Sequence, residues 1–198
     1  MRMSRPFFRG FFAVLSLAFG AALLCAGQAS SKTKPKANSE QSDTGGPDAK
    51  KGGKPSQLAS YGDWGVFVAQ GEKSKTCYAL ATPKERVPSG LQRDPAYVFI
   101  ANRPGENVRE EVSIIMGFPV KEGSSVRTEI GSSGFDFVAK GANAWIKNQA
   151  EEPHFVEVLK KGAKLTVKAP SLKGHVTTDS YSLAGLAQAL DRVDKECP

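Results

Sequence analysis

Two cysteines 120 positions apart, in a chain that opens with an export signal, constrain what this sequence can fold into more than any other feature. Arg2, Arg5 and Arg9 form a basic start, and Phe11 to Leu24 is an uncharged apolar run of 14 residues. Gly27-Gln28-Ala29 then supplies small residues for cleavage after Ala29. That layout reads as a secretory signal peptide over 1–29. The alternative, a membrane anchor, would need roughly 20 apolar residues. A lipidated Cys25 would want a small residue before it, and Leu24 stands there. Cleavage removes Cys25 and leaves Cys77 and Cys197, an even number, in an oxidising compartment where disulfides persist. The sequence therefore predicts a Cys77–Cys197 bridge. In the chain-entropy model a loop of this length contributes on the order of 4–5 kcal/mol. A reactive thiol or a metal-ligand pair is the competing reading, and neither a CxxC nor a Cys/His cluster supports it.

The formal charge of +7 invites a nucleic-acid or membrane reading, but its distribution weakens it. The signal carries three arginines and no acids. Residues 30–60 carry Lys32, Lys34, Lys36, Lys50, Lys51 and Lys54 against Glu40, Asp43 and Asp48. Residues 61–198 hold 18 basic and 17 acidic residues, a net +1. A near-neutral domain is not built to neutralise many phosphates, so nucleic acid is not expected as a partner. The stretch 30–60 is rich in Lys, Gly, Ser and Pro, and its only aliphatic residue larger than alanine is Leu58. Too little apolar surface is present to offset ordering entropy, which predicts a disordered leader. Loose contact of this basic leader with an anionic membrane or cell-wall surface is its functional reading, and a solvated spacer is its plain one.

The span 61–198 suits one domain with its own core. Nine short runs rich in Val, Ile, Phe, Tyr and Thr read as strands: 61–68, 75–80, 96–100, 108–116, 126–130, 135–138, 143–146, 164–168 and 175–178. Their close spacing predicts an antiparallel β-sandwich or barrel. Two helices interrupt the pattern. Glu151 to Lys161 has acids in its first turn, lysines in its last and Gly162 beyond, an order that suits the helix dipole and a left-handed cap. The second starts near Ser182, with Leu183, Leu186, Ala187, Leu190, Val193 and Cys197 along one face.

Chemistry is sparse. His154 and His175 are the only histidines, and neither lies near a nucleophile elbow. No phosphate loop, dinucleotide fingerprint or calcium loop occurs, and no cofactor is implied. Glu110 and Glu111 are neighbours in a strand, so they point to opposite faces. The expectation is a non-catalytic protein. Trp64, Trp145, Phe67, Tyr97, Phe99 and Phe118 form either a ligand platform or core. Arg93-Asp94-Pro95 and Arg103-Pro104-Gly105-Glu106 are charged turns that also offer a binding surface. The candidate binding residues are thus Arg93, Asp94, Arg103, Trp64 and Trp145.

Several blocks occur in order: Tyr61-Gly62-Asp63-Trp64, Cys77, Arg93 to Ile100, Val112 to Pro119, Thr177 to Leu183, and the final Cys197. Together they resemble the invasion-associated locus B family of alphaproteobacterial envelope proteins, over nearly all of 61–198 and none of the leader. The resemblance implies an immunoglobulin-like antiparallel β-sandwich and a periplasmic, secreted or outer-membrane-associated location in a Gram-negative bacterium. It also implies an unidentified envelope or host protein as partner, with a link to host-cell association or invasion. A periplasmic module binding a glycan or small ligand is the alternative. The family supplies no catalytic residues to carry over. Some members have a further cysteine near the end of the first strand, where this chain has Val66-Phe67-Val68-Ala69-Gln70.

Overall fold

The computed structural model describes residues 54–71 and 74–198. The signal peptide 1–29 and the leader up to residue 53 lie outside the described residues. Within them the chain is mainly antiparallel β, with one short helix and one C-terminal helix. The strands are β1 (Ser56–Tyr61), β2 (Trp64–Gln70), β3 (Lys75–Ala81), β4 (Glu85–Val87), β5 (Tyr97–Arg103) and β6 (Val108–Ile115). They continue as β7 (Ser125–Ile130), β8 (Ser133–Lys140), β9 (Asn143–Ile146), β10 (Lys164–Pro170) and β11 (Val176–Ser182). Helix α1 (Glu152–Lys161) lies between β9 and β10, and α2 (Leu186–Glu196) follows β11.

All nine expected strands are present, and two more join them. β1 begins at Ser56, inside the span read as leader, and Leu58 packs against the core. The run expected as one strand from Tyr61 to Val68 is broken at Gly62-Asp63. Tyr61 pairs with Trp64 across a two-residue turn, and Gly62 has φ +55. A glycine-aspartate pair between apolar alternations is a hairpin signal, and it marks this turn. The second addition, β4, is only three residues long, too short to carry a readable alternation.

The strands form one continuous hydrogen-bonded sheet in the order β1-β2-β3-β5-β6-β9-β8-β7-β10-β11-β4. Alternate residues of nearly every strand are buried: Trp64 and Val66, Cys77 and Ala79, Val98 and Ile100, Val112 and Ile114, Phe135 and Phe137, Leu165 and Val167. A long sheet with one apolar face must close on itself to remove that face from water. The contacts show the closure. The Trp64 indole N–H on β2 donates to the Ser182 carbonyl at the end of β11 (3.1 Å), and the Asp63 amide donates to the Ala184 carbonyl (3.0 Å). The buried residues form one core.

The helices complete that core. Phe155 of α1 meets Phe135 and Phe137 edge-on, with ring centroids 4.9 and 5.2 Å apart. Gly162 ends α1 in an extended conformation (φ −80, ψ 165) rather than the left-handed cap expected from sequence. Its role is close approach, since a Cβ there would stand 2.4 Å from the Ile130 side chain. Helix α2 starts at Leu186, four residues after the expected cap. Ser182 ends β11 instead, and its hydroxyl accepts from the Ala184 amide (3.2 Å). The inner face of α2 is Leu186, Ala189, Leu190, Val193 and Cys197, so Ala187, expected on that face, lies outside.

Cys77 on β3 and Cys197 at the end of α2 are disulfide-bonded, with Cα atoms 5.8 Å apart. The helix end is held three further ways. Lys75 donates to the Glu196 carbonyl (2.8 Å) and carboxylate (2.6 Å). Buried Asn102 donates to Asp194 and to the Cys197 carbonyl, and Arg109 donates to the same carbonyl. Cations and donors at a helix C-terminus satisfy its free carbonyls and suit its dipole. Both sulfurs are buried. Replacing Cys77 and Cys197 by alanine should cost about 4–5 kcal/mol and lower Tm by about 10–20 °C. Hydrogen exchange should rise first in α2. An unchanged Tm in the double variant would mean that the side-chain clamps alone hold the helix.

Candidate functional site

The five candidate binding residues do not form one site. Trp64 is core, 1 % exposed, so it is no ligand platform. The Arg93 side chain is 6 % exposed and bound to Asp179, which is fully buried on β11. Asp94 is exposed beside it. Arg103 and Trp145 lie elsewhere, half-buried on the outer face of the sheet.

Arg93 belongs to a joint. Its guanidinium donates to Asp179 (3.0 Å) and to the Pro88 carbonyl (3.0 Å). Arg86, on β4, donates to the other Asp179 oxygen (3.0 Å), to the Asp94 carbonyl (2.7 Å) and to the Met116 carbonyl (2.8 Å). The Asp94 amide donates to the Gly117 carbonyl (2.9 Å). Gly117 has φ +70, and a Cβ there would stand 2.1 Å from the Asp94 carbonyl oxygen, so only glycine fits. Three of the sequence blocks, those around Arg93, Gly117 and Asp179, therefore meet at one buried carboxylate. Burial raises the Asp179 carboxyl above the ordinary carboxylate range, and the two guanidiniums pull it back. The neighbouring Tyr181 hydroxyl is buried without a hydrogen-bond partner among the described residues, and burial raises its pKa. The block around Trp64 makes a second joint: Lys84 and Ser182 beside Asp63 hold that carboxyl below its usual range.

Seen as chemistry, these joints hold strands. Arg86 is not among the candidate residues of the sequence, and only its place two residues before the Pro88-Ser89-Gly90 turn points to it. The two histidines are apart: exposed His154 packs on Phe135, and exposed His175 sits in the β10–β11 turn. Glu110 and Glu111 go opposite ways, to Lys160 (2.7 Å) and Arg103 (2.8 Å). Among the described residues no group of three His, Cys, Asp or Glu side chains is placed to hold a metal ion.

The outer face of the sheet carries the remaining aromatic residues. Phe67 on β2 lies opposite Tyr78 on β3, and the two rings stack at 5.4 Å and 13°. Leu80 lies opposite Phe99, Phe99 opposite Ser113, Ser113 opposite Trp145, and Trp145 opposite Val138. Opposed residues share a face, so these side chains form one band across β2, β3, β5, β6, β9 and β8. Tyr97, 5.8 Å from Phe99, widens it. The band is half-buried, and Val138 at its end is 52 % exposed. Arg103, with Glu106 and Glu111, forms a charged border on the same face. Further round the sheet the outer face turns polar, with Arg127–Asp136 and Lys168–Glu129 ion pairs. Of the six aromatics weighed from sequence, Phe67, Tyr97, Phe99 and Trp145 are in the band, whereas Trp64 and Phe118 are core. Beside it, Phe67, Leu80, Asp63 and Lys84 help line a shallow cavity of about 330 Å³.

No protein-family model, curated protein or solved structure matches the chain. Among the described residues no helix is long and apolar enough to cross a membrane, and the disulfide suits an oxidising environment.

A buried carboxylate between two guanidiniums is costly to break from either side, because an uncompensated charge is left behind. Asp179→Ala should destabilise the protein by about 3–5 kcal/mol. Arg103→Ala, which opens an exposed network, should cost under about 1 kcal/mol. Urea unfolding of the two variants measures the contrast. Equal losses would show that the Asp179 joint is no more than a surface contact.

Proposed function

We propose that this protein is an exported, non-catalytic envelope protein that acts by binding another protein, through the aromatic band on the outer face of its sheet. The band carries the reading. Large aromatics gathered on one surface, bordered by an arginine with its carboxylates, are the composition of a protein interface: an apolar centre and a polar rim. The joints at Asp179 and Asp63 hold the strands of that surface in fixed register, which lowers the entropic cost of binding. The export signal, the disulfide and the resemblance to the invasion-associated locus B family support a periplasmic or surface setting. The partner is accordingly an envelope or host protein, and the family name is the ground for a link to host-cell association.

A second reading rests on the shallow cavity beside Phe67. An aromatic wall next to an Asp63–Lys84 ion pair suits a sugar, with the ring as stacking face and the charges as hydrogen-bond partners.

The test is partner capture in the native envelope. Tyr78→Ser with Phe99→Ser should abolish crosslinking to the partner and lower Tm by only about 5 °C, since both rings are partly exposed. Capture that survives this double variant would remove the band from the mechanism. Asp63→Asn tests the second reading: loss of glycan binding with partner capture intact would favour the cavity.

A further inference from the structure

Three turns meet at one end of the sheet: 117–124 between β6 and β7, 141–142 between β8 and β9, and 171–175 between β10 and β11. Backbone hydrogen bonds lock them together. The Val120 amide donates to the Gly141 carbonyl (2.9 Å), Lys121 to Pro170 (2.9 Å) and Leu172 to Pro119 (3.1 Å). Val120 and Ser171 also form an isolated β-bridge. Ser171 closes its own turn, accepting the His175 amide on its hydroxyl (3.1 Å). This end is therefore a fixed platform of turns.

Two features of its side chains bear on what it can meet. Leu172 is 60 % exposed and Val176 68 %, the two most exposed large apolar residues described, and they flank the same turn. Val87, 45 % exposed, lies opposite Thr178 on the same edge. Second, Lys121 and Lys173 on the turns and Lys140 at the end of β8 are all exposed, and none makes an ion pair among the described residues. Farther along, one cation of β7 and one of β10 are paired, Arg127 with Asp136 and Lys168 with Glu129. Glu122 is the one acid on these turns. This end thus sets three exposed lysines, with a single acid, around an exposed leucine and valine.

We propose that this end docks on an anionic phospholipid surface. Leu172 and Val176 enter the interface between headgroups and acyl chains, and Lys121, Lys140 and Lys173 lie on the phosphates. The charge complementarity identifies the occupant. Apolar side chains rimmed by free lysines match a surface that is negative outside and apolar within. A protein partner would match the exposed apolar residues equally well, but three lysines against one acid around them favour a uniformly anionic surface. The inference is independent of the aromatic band, which lies on the wall of the sheet.

Vesicle flotation of the exported protein, with its lysine-rich leader intact, tests the proposal. The vesicles are phosphatidylethanolamine with about one quarter phosphatidylglycerol, and neutral phosphatidylcholine serves as control. Lys121→Gln, Lys140→Gln and Lys173→Gln together should weaken binding roughly 100-fold, about fivefold for each lysine. Leu172→Ser with Val176→Ser should weaken it by at least about tenfold without changing Tm, because both residues are exposed. A Leu172→Trp variant should show a blue shift in its added emission on anionic vesicles only. Three results would overturn the proposal: partition of the lysine variant within about twofold of the parent, no blue shift at position 172, or binding lost only when the six leader lysines become glutamine.

Discussion

The bond between Cys77 and Cys197 joins the third strand to the last buried residue of the chain, and the rest of the fold is arranged around what it holds in place. Helix α2 has a strongly one-sided apolar face, and that face packs on β1, β2, β3 and β5. Eleven residues of helix are marginal alone in water and depend on tertiary packing. The disulfide fixes the far end of α2, while Gly185 fixes the near one. Gly185 has φ +91, and a Cβ there would stand 2.0 Å from the Tyr61 carbonyl oxygen. The helix is thus pinned at both ends to strands on one side of the sheet, although it follows β11 in sequence, near the opposite edge. A single chain segment, Ser182 to Cys197, ties the two margins of the sheet together.

That closure explains why the recognisable sequence blocks lie where they do. They are the points at which distant strands touch. Arg93, Gly117 and Asp179 meet in one joint, and Gly62, Asp63, Trp64 and Ser182 in another. A curled sheet is held along its strands by ladder hydrogen bonds, which carry little sequence information. Across the closure it depends on particular side chains, so identity is demanded there. Charged and aromatic residues in such blocks look like binding residues from sequence alone, yet the structure uses Arg93 and Trp64 to hold strands.

Much of the fold was legible because periodicity reports burial. The alternation in Lys164–Lys168 or Tyr97–Ile100 has one cause, a sheet with one face in the core, and it gave strand positions close to those observed. Helix α1 was legible from its charges and its terminal glycine, though the glycine serves close packing instead of a left-handed cap. What could not be read was set by contacts across the sheet. β4 exists because Arg86 reaches Asp179, Asp94 and Met116, and three residues hold no period. β1 hides in a polar composition, and a bulge at Leu58 breaks its alternation, so that Leu58, Ala59 and Tyr61 all pack on the core without a regular period. Which aromatics face outward depends on register: Trp64 and Phe67, three residues apart on β2, fall on opposite faces, and burial shows which of the two is core.

The two sheet edges bear on how recognition can occur. A bare edge strand is a template for another chain, and backbone pairing is a common mode of binding. Here both edges are blunted. β4 is three residues long and is followed directly by Pro88, which has no N–H to offer a neighbour. β1 is interrupted by its bulge, which breaks the regular spacing that a partner strand would need. Strand addition is disfavoured at either margin. The surfaces left for recognition are made of side chains: the aromatic band on the wall and the lysine-rimmed turns at one end. In their proposed roles they call for different partners, since the first offers broad apolar contact with a charged border and the second a small apolar tip ringed by lysines. Docked as proposed, the domain would stand on a membrane surface by its end and present its wall to a protein beside it.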